Sequence, residues 1–129
     1  MSIPVSVVIL AQNSAATLDR ALASVRAFDE VVAVDRGSVD ATASIAAAYP
    51  NVVWRTHPFR GFAEQRNFAL RQASHPWCLV LDSDETATAE LVEGIAGRQW
   101  EDAPTSLYYV MRTDWIMGRE LDRGYARSV

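Results

Sequence analysis

Apolar segments without charged residues alternate with segments of helical spacing four times along this chain of 129 residues. The apolar segments are residues 5–10, 31–34, 52–54 and 77–81, and residues 107–111 form a last predicted strand. Apolar strands joined by helices are typical of a parallel sheet that is covered on both faces. The sequence therefore predicts a three-layer α/β/α sandwich with a Rossmann-like, mostly parallel sheet. We expect residues 1–129 to form a single domain.

Four helices are predicted, at residues 18–25, about 40–49, 62–72 and from 88 onward. Asn13 or Ser14 is expected to cap the first helix, and Ser38 and Asp40 to cap the second. Side-chain oxygens of these residue types accept hydrogen bonds from the free N–H groups of a first helical turn.

Polar residues follow three of the predicted strands, at positions 11–13, 35–38 and 82–84. The carboxyl ends of parallel strands lie on one edge of the sheet, and such sheets bind ligands in the crevice beyond that edge. Because three polar strand ends meet at one crevice, a binding site is favoured over a chance arrangement of polar residues.

The acidic segment Asp82-Ser83-Asp84-Glu85 directly follows a buried strand. Clustered carboxylates repel one another and lose hydration near a core, so they favour a compensating cation. Their oxygens suit a hard divalent ion, Mg²⁺ or Mn²⁺. The alternative is that these are solvated acids which cap the next helix. The segment by itself leaves both interpretations open.

Further ligand contacts are expected at the second strand end and in a locally basic segment. Asp35 stands where a carboxylate accepts hydrogen bonds from a ribose or a base in dinucleotide-binding folds. Arg66, near a helix start, is expected to lie close to an anion, because guanidinium groups bind phosphate in a fork. Arg60 is a second possibility, whereas Arg71 is expected on a solvated helix face. His57 is a possible base or ligand, but a loop histidine without a role is favoured.

Composition limits the function. The net charge of −4 and the sequence pI of about 5.1 argue against a nucleic-acid binder. All 12 basic residues are Arg, which excludes Schiff-base chemistry on Lys. The single Cys78 indicates a reducing compartment and a small buried side chain rather than a nucleophile. No segment has the ~20 apolar residues of a membrane span, so we expect a cytoplasmic protein.

Four motifs in order resemble those of inverting glycosyltransferases with the GT-A fold, of the family 2 type. They are VVILAQN at residues 7–13, VDRGSVD at 34–40, GFAEQRN at 61–67 and LDSDE at 81–85. The greatest similarity is to the branch that adds sugars to the lipopolysaccharide core, and residues 109–119 also resemble the segment that follows there.

The resemblance implies transfer of a sugar from a nucleotide-diphosphate donor to a saccharide or glycolipid acceptor. The donor site is then expected to consist of Ala11, Asn13, Asp35, Arg66, Asp82 and Ser83. Asp84 is the expected metal ligand, with Asp82 reaching either the metal or the ribose. A metal there would stabilise the charge that the leaving diphosphate gains.

The chain departs from this family in two respects. Gln12 and Ser14 stand near Asn13 where an aromatic residue and an acid are usual, and Arg36 replaces a usual Ser or Asp. Family domains also continue further and carry an acceptor-activating carboxylate there. Asp114 is a weak match for that base, so we expect the chain to be the donor-binding part of a longer domain.

Two alternatives stay open. One is a non-catalytic module that binds nucleotide sugars. The other is a haloacid-dehalogenase-type phosphatase. Residues 79–86 resemble the signature of that family, in which Asp82 would be the nucleophile.

Residues 115–118 could contact an acceptor or the inner face of a membrane, although a core position is favoured. An exposed sheet edge would favour a homodimer.

Overall fold

The structure, a computed structural model, describes residues 3–100 and the backbone of residues 109–116 and 119–128. It divides into two compact units, Met1–Arg98 and Gln99–Val129. The strands of the first unit are β1 (Ile3–Ala11), β2 (Phe28–Asp35), β3 (Val52–Thr56) and β4 (Cys78–Val80). Its helices are α1 (Leu18–Ser24), α2 (Thr42–Ala47), α3 (Phe62–Gln72) and α4 (Ala89–Ala96).

The four strands form one parallel sheet in the order β3-β2-β1-β4. This confirms the predicted parallel α/β sheet. Strand β4 is shorter than the predicted segment 77–81, yet both flanking residues remain bonded to β1. Ser6 N donates to the Trp77 carbonyl at 3.0 Å, and Leu81 N donates to the Val8 carbonyl at 3.0 Å.

The core lies on both faces of the sheet, because alternate side chains of a strand point to opposite sides. On one face, Val8, Val32 and Val34 pack with Ala69 of α3. Val7 and Val31 belong to the opposite face and are fully buried. Crossovers between parallel strands are nearly always right-handed, which puts α1 and α2 on that second face. The two helices contact each other.

Two of the expected helix caps are wrong. Helices α1 and α2 begin after Thr17 and Ala41, and neither cap residue makes a side-chain cap bond. Asn13 and Ser14 are instead used in contacts between loops, and Ser38 bonds to Asp35. Asp40 does serve the start of α2, since its Oδ1 accepts from Thr42 N at 3.0 Å.

The fourth helix begins as predicted. Thr88 is its N-cap, and its Oγ1 accepts a hydrogen bond from Leu91 N at 3.1 Å. Glu90 lies in the first turn, where the helix dipole favours an acid.

The second unit contains an antiparallel pair, β5 (Tyr109–Ile116) and β6 (Arg119–Ser128). The predicted strand at 107–111 therefore continues to residue 116. Strand β6 was not predicted, because its sequence RELDRGYARS lacks an apolar run. Within the described residues no helix is long and apolar enough to cross a membrane.

Candidate functional site

The carboxyl ends of β1, β2 and β4 lie next to one another, as the parallel order requires. Ala11 at the end of β1 is in register with Asp35 at the end of β2. On the other side of β1, Val8 is in register with Val80. The three polar strand ends singled out in the sequence therefore share one edge of the sheet.

Direct hydrogen bonds join the loops after β1 and β2. Asn13 N donates to Ser38 Oγ at 2.8 Å, and Asn13 Oδ1 accepts from Val39 N at 2.9 Å. Asn13 has φ +46°, a left-handed conformation that asparagine tolerates better than most residues. Asn13, which was expected to bind the donor, thus lies at this edge of the sheet and fixes the second loop against the first.

Asp35 is buried, with 4% of its surface exposed, and its carboxylate organises its own loop. Oδ2 accepts from Gly37 N at 3.1 Å and from Ser38 N at 2.8 Å, and Oδ1 accepts from the Ser38 hydroxyl. Gly37 has φ +107°, which only glycine adopts readily. A carboxylate has about four acceptor positions, so these three bonds leave room for a ligand donor.

Asp40 links the same two loops from further along the chain. Asp40 Oδ2 accepts a hydrogen bond from Ala15 N at 3.2 Å. Nearby, the Thr42 hydroxyl accepts a hydrogen bond from Ser14 N at 2.8 Å. The hydrogen bond from the Thr42 hydroxyl, opposed by partial desolvation, lowers the pKa of Asp40 below its ordinary value. Asp40 is therefore a charged structural acceptor at neutral pH.

The acidic segment after β4 forms a turn that closes on itself. Glu85 N donates to the Asp82 carbonyl at 3.0 Å, and Asp82 N donates to Glu85 Oε1 at 2.8 Å. Ser83 lies 3.0 Å from Ser14, hydroxyl to hydroxyl, which connects this turn to the β1 loop. Asp84 is exposed and Asp82 is half-buried.

This turn has the donor chemistry of a phosphate-bound Mg²⁺ or Mn²⁺. No group of three or more His, Cys, Asp or Glu side chains within the described part of the chain could hold a metal by itself. Mg²⁺ in phosphate sites, however, uses one or two carboxylates and completes its shell with water and substrate oxygens. Asp82 and Asp84 supply carboxylates in that number, so the turn fits such an ion.

The side chains of the basic segment differ in burial and in their contacts. Arg66 on α3 is half-buried, and its Nε has no hydrogen-bond partner among the described residues. Arg60 and Arg71 are exposed. The His57 ring stacks on Phe68 with centroids 3.8 Å apart, and its Nε2 lies 2.9 Å from Glu64 Oε1. These contacts support the interpretation of His57 as a packed loop residue.

A cavity of about 270 Å³ opens at the same edge of the sheet. It is lined by Leu10, Ala11, Gln12, Val34, Arg36, Phe59, Phe62, Gln65 and Ser83. Ala11 and Ser83 were expected there, whereas Arg36, Phe59, Phe62 and Gln65 were not assigned to the site. The sequence contained one indication that these residues reach the site. Gly61 lies between the two phenylalanines, and its φ of +116° allows the turn that the loop makes at this edge.

Two other predictions concern Cys78 and Asp114. Burial, aided by the charge of Glu30, raises the pKa of the Cys78 thiol, which supports its interpretation as a packing residue. Asp114 lies in β5 in register with Leu121, and its side chain is outside the described part of the structure. Residues 117 and 118 lie outside the described residues altogether.

Comparison with known proteins gives consistent matches. The model of glycosyl transferase family 2 matches residues 6–124. The lipopolysaccharide core biosynthesis glycosyltransferase LpsC of Rhizobium meliloti (strain 1021) is 38% identical over 95 residues, which cover 70% of this chain and 35% of LpsC.

Two solved structures share the fold. S. aureus TarS 1-349 is 29% identical with a TM-score of 0.63, over 74% of this chain and 31% of TarS. Glucosyl-3-phosphoglycerate synthase from Mycobacterium tuberculosis in complex with UDP is 27% identical with a TM-score of 0.52, over 63% of this chain and 34% of the synthase. That synthase has also been crystallised with Mn²⁺, UDP and glucosyl-3-phosphoglycerate. The chain spans about a third of the length of each of these relatives.

Proposed function

Because the chain belongs to glycosyl transferase family 2, we propose that residues 3–100 bind a nucleotide-diphosphate sugar for transfer, with inversion, to a saccharide hydroxyl. The acceptor class is the lipopolysaccharide core or another cell-envelope glycan. LpsC, named for lipopolysaccharide core biosynthesis, supports this acceptor class. The fold is a GT-A fold, which the similarity to TarS and the synthase shows.

One observation carries the proposal: the cavity and the acidic turn lie on the same edge of the sheet and share Ser83. A nucleotide sugar needs both features, a pocket for its nucleoside and a cation site for its diphosphate. The synthase complex with UDP, which has the same fold, supports a uridine nucleotide as the first ligand to test.

The donor residues have distinct parts in this proposal. Ala11, Asn13 and Asp35 would contact the nucleoside from the ends of β1 and β2, while Asp82, Ser83 and Asp84 would face the diphosphate. Arg66, whose Nε lacks a partner among the described residues, balances the remaining phosphate charge.

The divalent ion, held by Asp84 with Asp82, would supply the positive charge that stabilises the departing diphosphate. The protein residues hold and orient the donor around it. Inversion further requires a carboxylate that takes the acceptor proton on the face opposite the leaving group. Asp114 is a weak match for this base, and we assign the step to no residue of the donor-binding part.

Isothermal titration with UDP, GDP and ADP, each with and without Mn²⁺, tests donor binding. We expect at least one of them to bind with a clear dependence on Mn²⁺. Asp84→Asn should abolish that dependence and leave the unfolding transition unchanged, because Asp84 is exposed. Glu93→Gln, which changes an exposed acid on α4, is the matched control and should bind as the unaltered chain does. Normal Mn²⁺-dependent binding by Asp84→Asn would refute the metal site.

Two further measurements separate the alternatives. Release of free sugar from the nucleotide sugar that binds indicates a transferase site, whereas binding without any turnover indicates a binding module. Stoichiometric capture of beryllofluoride on Asp82 would indicate a phosphatase and contradict the proposal.

A further inference from the structure

The wall of the cavity carries one cation and no acid. Among its lining residues, Arg36 is the charged one, and two phenylalanines stand beside it. Arg36 comes from the loop after β2, Phe59 from the loop after β3, and Phe62 from the first turn of α3. Three separate segments therefore build a wall that is aromatic and positively charged.

The Arg36 side chain is held in place by an aromatic ring. Its Cζ lies 3.4 Å from the ring centroid of Phe59 and 5.9 Å from that of Phe62, and the two rings are 5.0 Å apart at a steep angle. The Arg36 backbone is fixed as well, since its N–H donates to the Ala11 carbonyl at 3.2 Å. No acidic group within the described residues pairs with Arg36, so its hydrogen-bond donors are not committed to an ion pair.

Gln65 adds a hydrogen-bond acceptor to this wall. It is 1% exposed and lines the cavity. Its Nε2 donates to the His57 carbonyl at 3.2 Å, which fixes the orientation of the amide and makes Oε1 the remaining group. Oε1 has no hydrogen-bond partner among the described residues. Buried polar atoms are nearly always bonded, so Oε1 indicates a ligand that brings an N–H group.

We infer that the nucleobase of the donor packs against the Arg36–Phe59 pair and donates an N–H to Gln65 Oε1. A base is planar, stacks on aromatic rings and guanidinium planes, and carries N–H donors and acceptor atoms at its edge. The Arg36–Phe59 pair offers a stacking surface and hydrogen-bond donors, and Gln65 Oε1 offers a hydrogen-bond acceptor. This inference rests on the proposed function and names the residues that read the base rather than the phosphates.

The test compares a probe that has a base with one that lacks it. Each protein is titrated, in the presence of Mg²⁺, with the nucleoside diphosphate that binds the unaltered chain most tightly and with inorganic pyrophosphate. Arg36→Ala should weaken nucleotide binding about tenfold, and pyrophosphate binding should stay within about twofold of the unaltered chain. Arg36→Lys keeps the charge but loses the planar group, so it should recover little of the loss.

Phe59→Leu and Gln65→Met should show the same pattern as Arg36→Ala, a loss for the nucleotide and none for pyrophosphate. Arg71→Ala, which removes an exposed arginine from α3, is the control for net charge and should change neither affinity. Thermal unfolding of every variant identifies loss of fold, and Arg36→Ala decides the matter where Gln65→Met does not fold.

The outcomes are separable. Equal losses for nucleotide and pyrophosphate in Arg36→Ala would make Arg36 a phosphate ligand and overturn the inference. Unchanged nucleotide binding in both Arg36→Ala and Phe59→Leu would place the base elsewhere and overturn it too. If the unaltered chain binds pyrophosphate but no nucleoside diphosphate better than pyrophosphate, the proposed function itself fails.

Discussion

Ser14 and Ser83 face each other across 3.0 Å, hydroxyl to hydroxyl, although 69 residues separate them in the chain. Ser14 is buried and follows β1, whereas Ser83 stands between the two aspartates after β4. Ser14 is also held by its own backbone, since its N–H donates to Thr42 Oγ1 at 2.8 Å. The acidic turn is therefore connected through Ser14 to the loop after β1 and to the first residue of α2.

We predict that Ser14→Ala weakens Mn²⁺-dependent nucleotide binding by about threefold to tenfold, because one hydrogen bond contributes roughly 0.5–1.5 kcal/mol. The reason is that Ser83, and with it Asp82 and Asp84, loses its anchor to β1. Binding measured without metal should change little. Isothermal titration at several Mn²⁺ concentrations provides the measurement.

A double-mutant cycle with Ser83→Ala shows whether the two hydroxyls act together. If they do, the loss in the double variant is smaller than the sum of the two single losses. Ser44→Ala, on the exposed face of α2, is the matched control and should bind normally. Additive losses would mean that Ser14 acts on the site by a route other than Ser83.

Asp35→Asn separates two roles of the buried carboxylate. The change weakens the bond from the Ser38 hydroxyl and also removes the charge that a donor N–H or hydroxyl would meet. Ser38→Ala keeps the charge of Asp35 and removes the loop bonds of the Ser38 hydroxyl, which donates to Asp35 and accepts from Asn13 N. We expect nucleotide affinity to fall about tenfold in Asp35→Asn, which loses a charge-assisted hydrogen bond to the ligand, and about threefold in Ser38→Ala, which keeps that bond. Equal losses in the two variants would show that Asp35 only holds its loop.

The fold was predictable because its sheet is buried on both faces. Segments such as 31–34 are uniformly apolar, and a strand of that kind fits a parallel sheet between helix layers. The caps of α1 and α2 were not predictable in the same way. A serine or asparagine before a helix can equally bond to another loop, and here Asn13 and Ser38 bond to each other's segments, 25 residues apart.

The location of polar residues that follow strands was predictable, whereas that of residues in loops was less so. Asp35 and Asp82 have positions set by the register of the sheet, so their neighbourhood follows from topology. Phe59 and Gln65 reach the cavity through the path of the β3–α3 loop, which local sequence does not determine. The pairing of Arg36 with Phe59 is a tertiary contact, and neither residue alone indicates it.

Gly61 and Gly94 should respond in opposite directions to substitution by alanine. A Cβ at either position would meet no atom within 4 Å, so space does not distinguish them. Gly61 has φ +116°, where alanine is strained, and we expect Gly61→Ala to lower the free energy of unfolding by about 1–2 kcal/mol. Gly94 lies within α4, where alanine should add about 0.5–1 kcal/mol. Urea unfolding measures both, and stabilisation by Gly61→Ala would contradict the conformational argument.

Glu30 lies in β2, and its carboxylate binds the segment that leads into β4. Oε2 accepts from the Ser6 hydroxyl at 2.7 Å and from Ser74 N at 2.8 Å, and Oε1 accepts from the Ser74 hydroxyl at 3.0 Å. Nearby, His75 Nε2 lies 2.6 Å from Asp29 Oδ2. Burial alone would raise the pKa of Glu30, but the hydrogen bonds from Ser6 and Ser74 outweigh it and lower the pKa below its ordinary value of 4.5.

A lowered pKa in the folded protein means that the unfolded chain binds the Glu30 proton more readily, so folding is less stable in acid. We predict that this stabilisation is fully present above about pH 5 and is lost as the pH falls below 4.5 and through the lower folded value. Glu30→Gln should lower the free energy of unfolding at pH 7 by about 2 kcal/mol and flatten the profile in that acidic range. Glu93→Gln, an exposed acid, should leave the profile unchanged. Urea unfolding from pH 3 to pH 7 provides the measurement. A Glu30→Gln profile as steep as that of the unaltered chain would contradict the assignment of the acid sensitivity to Glu30.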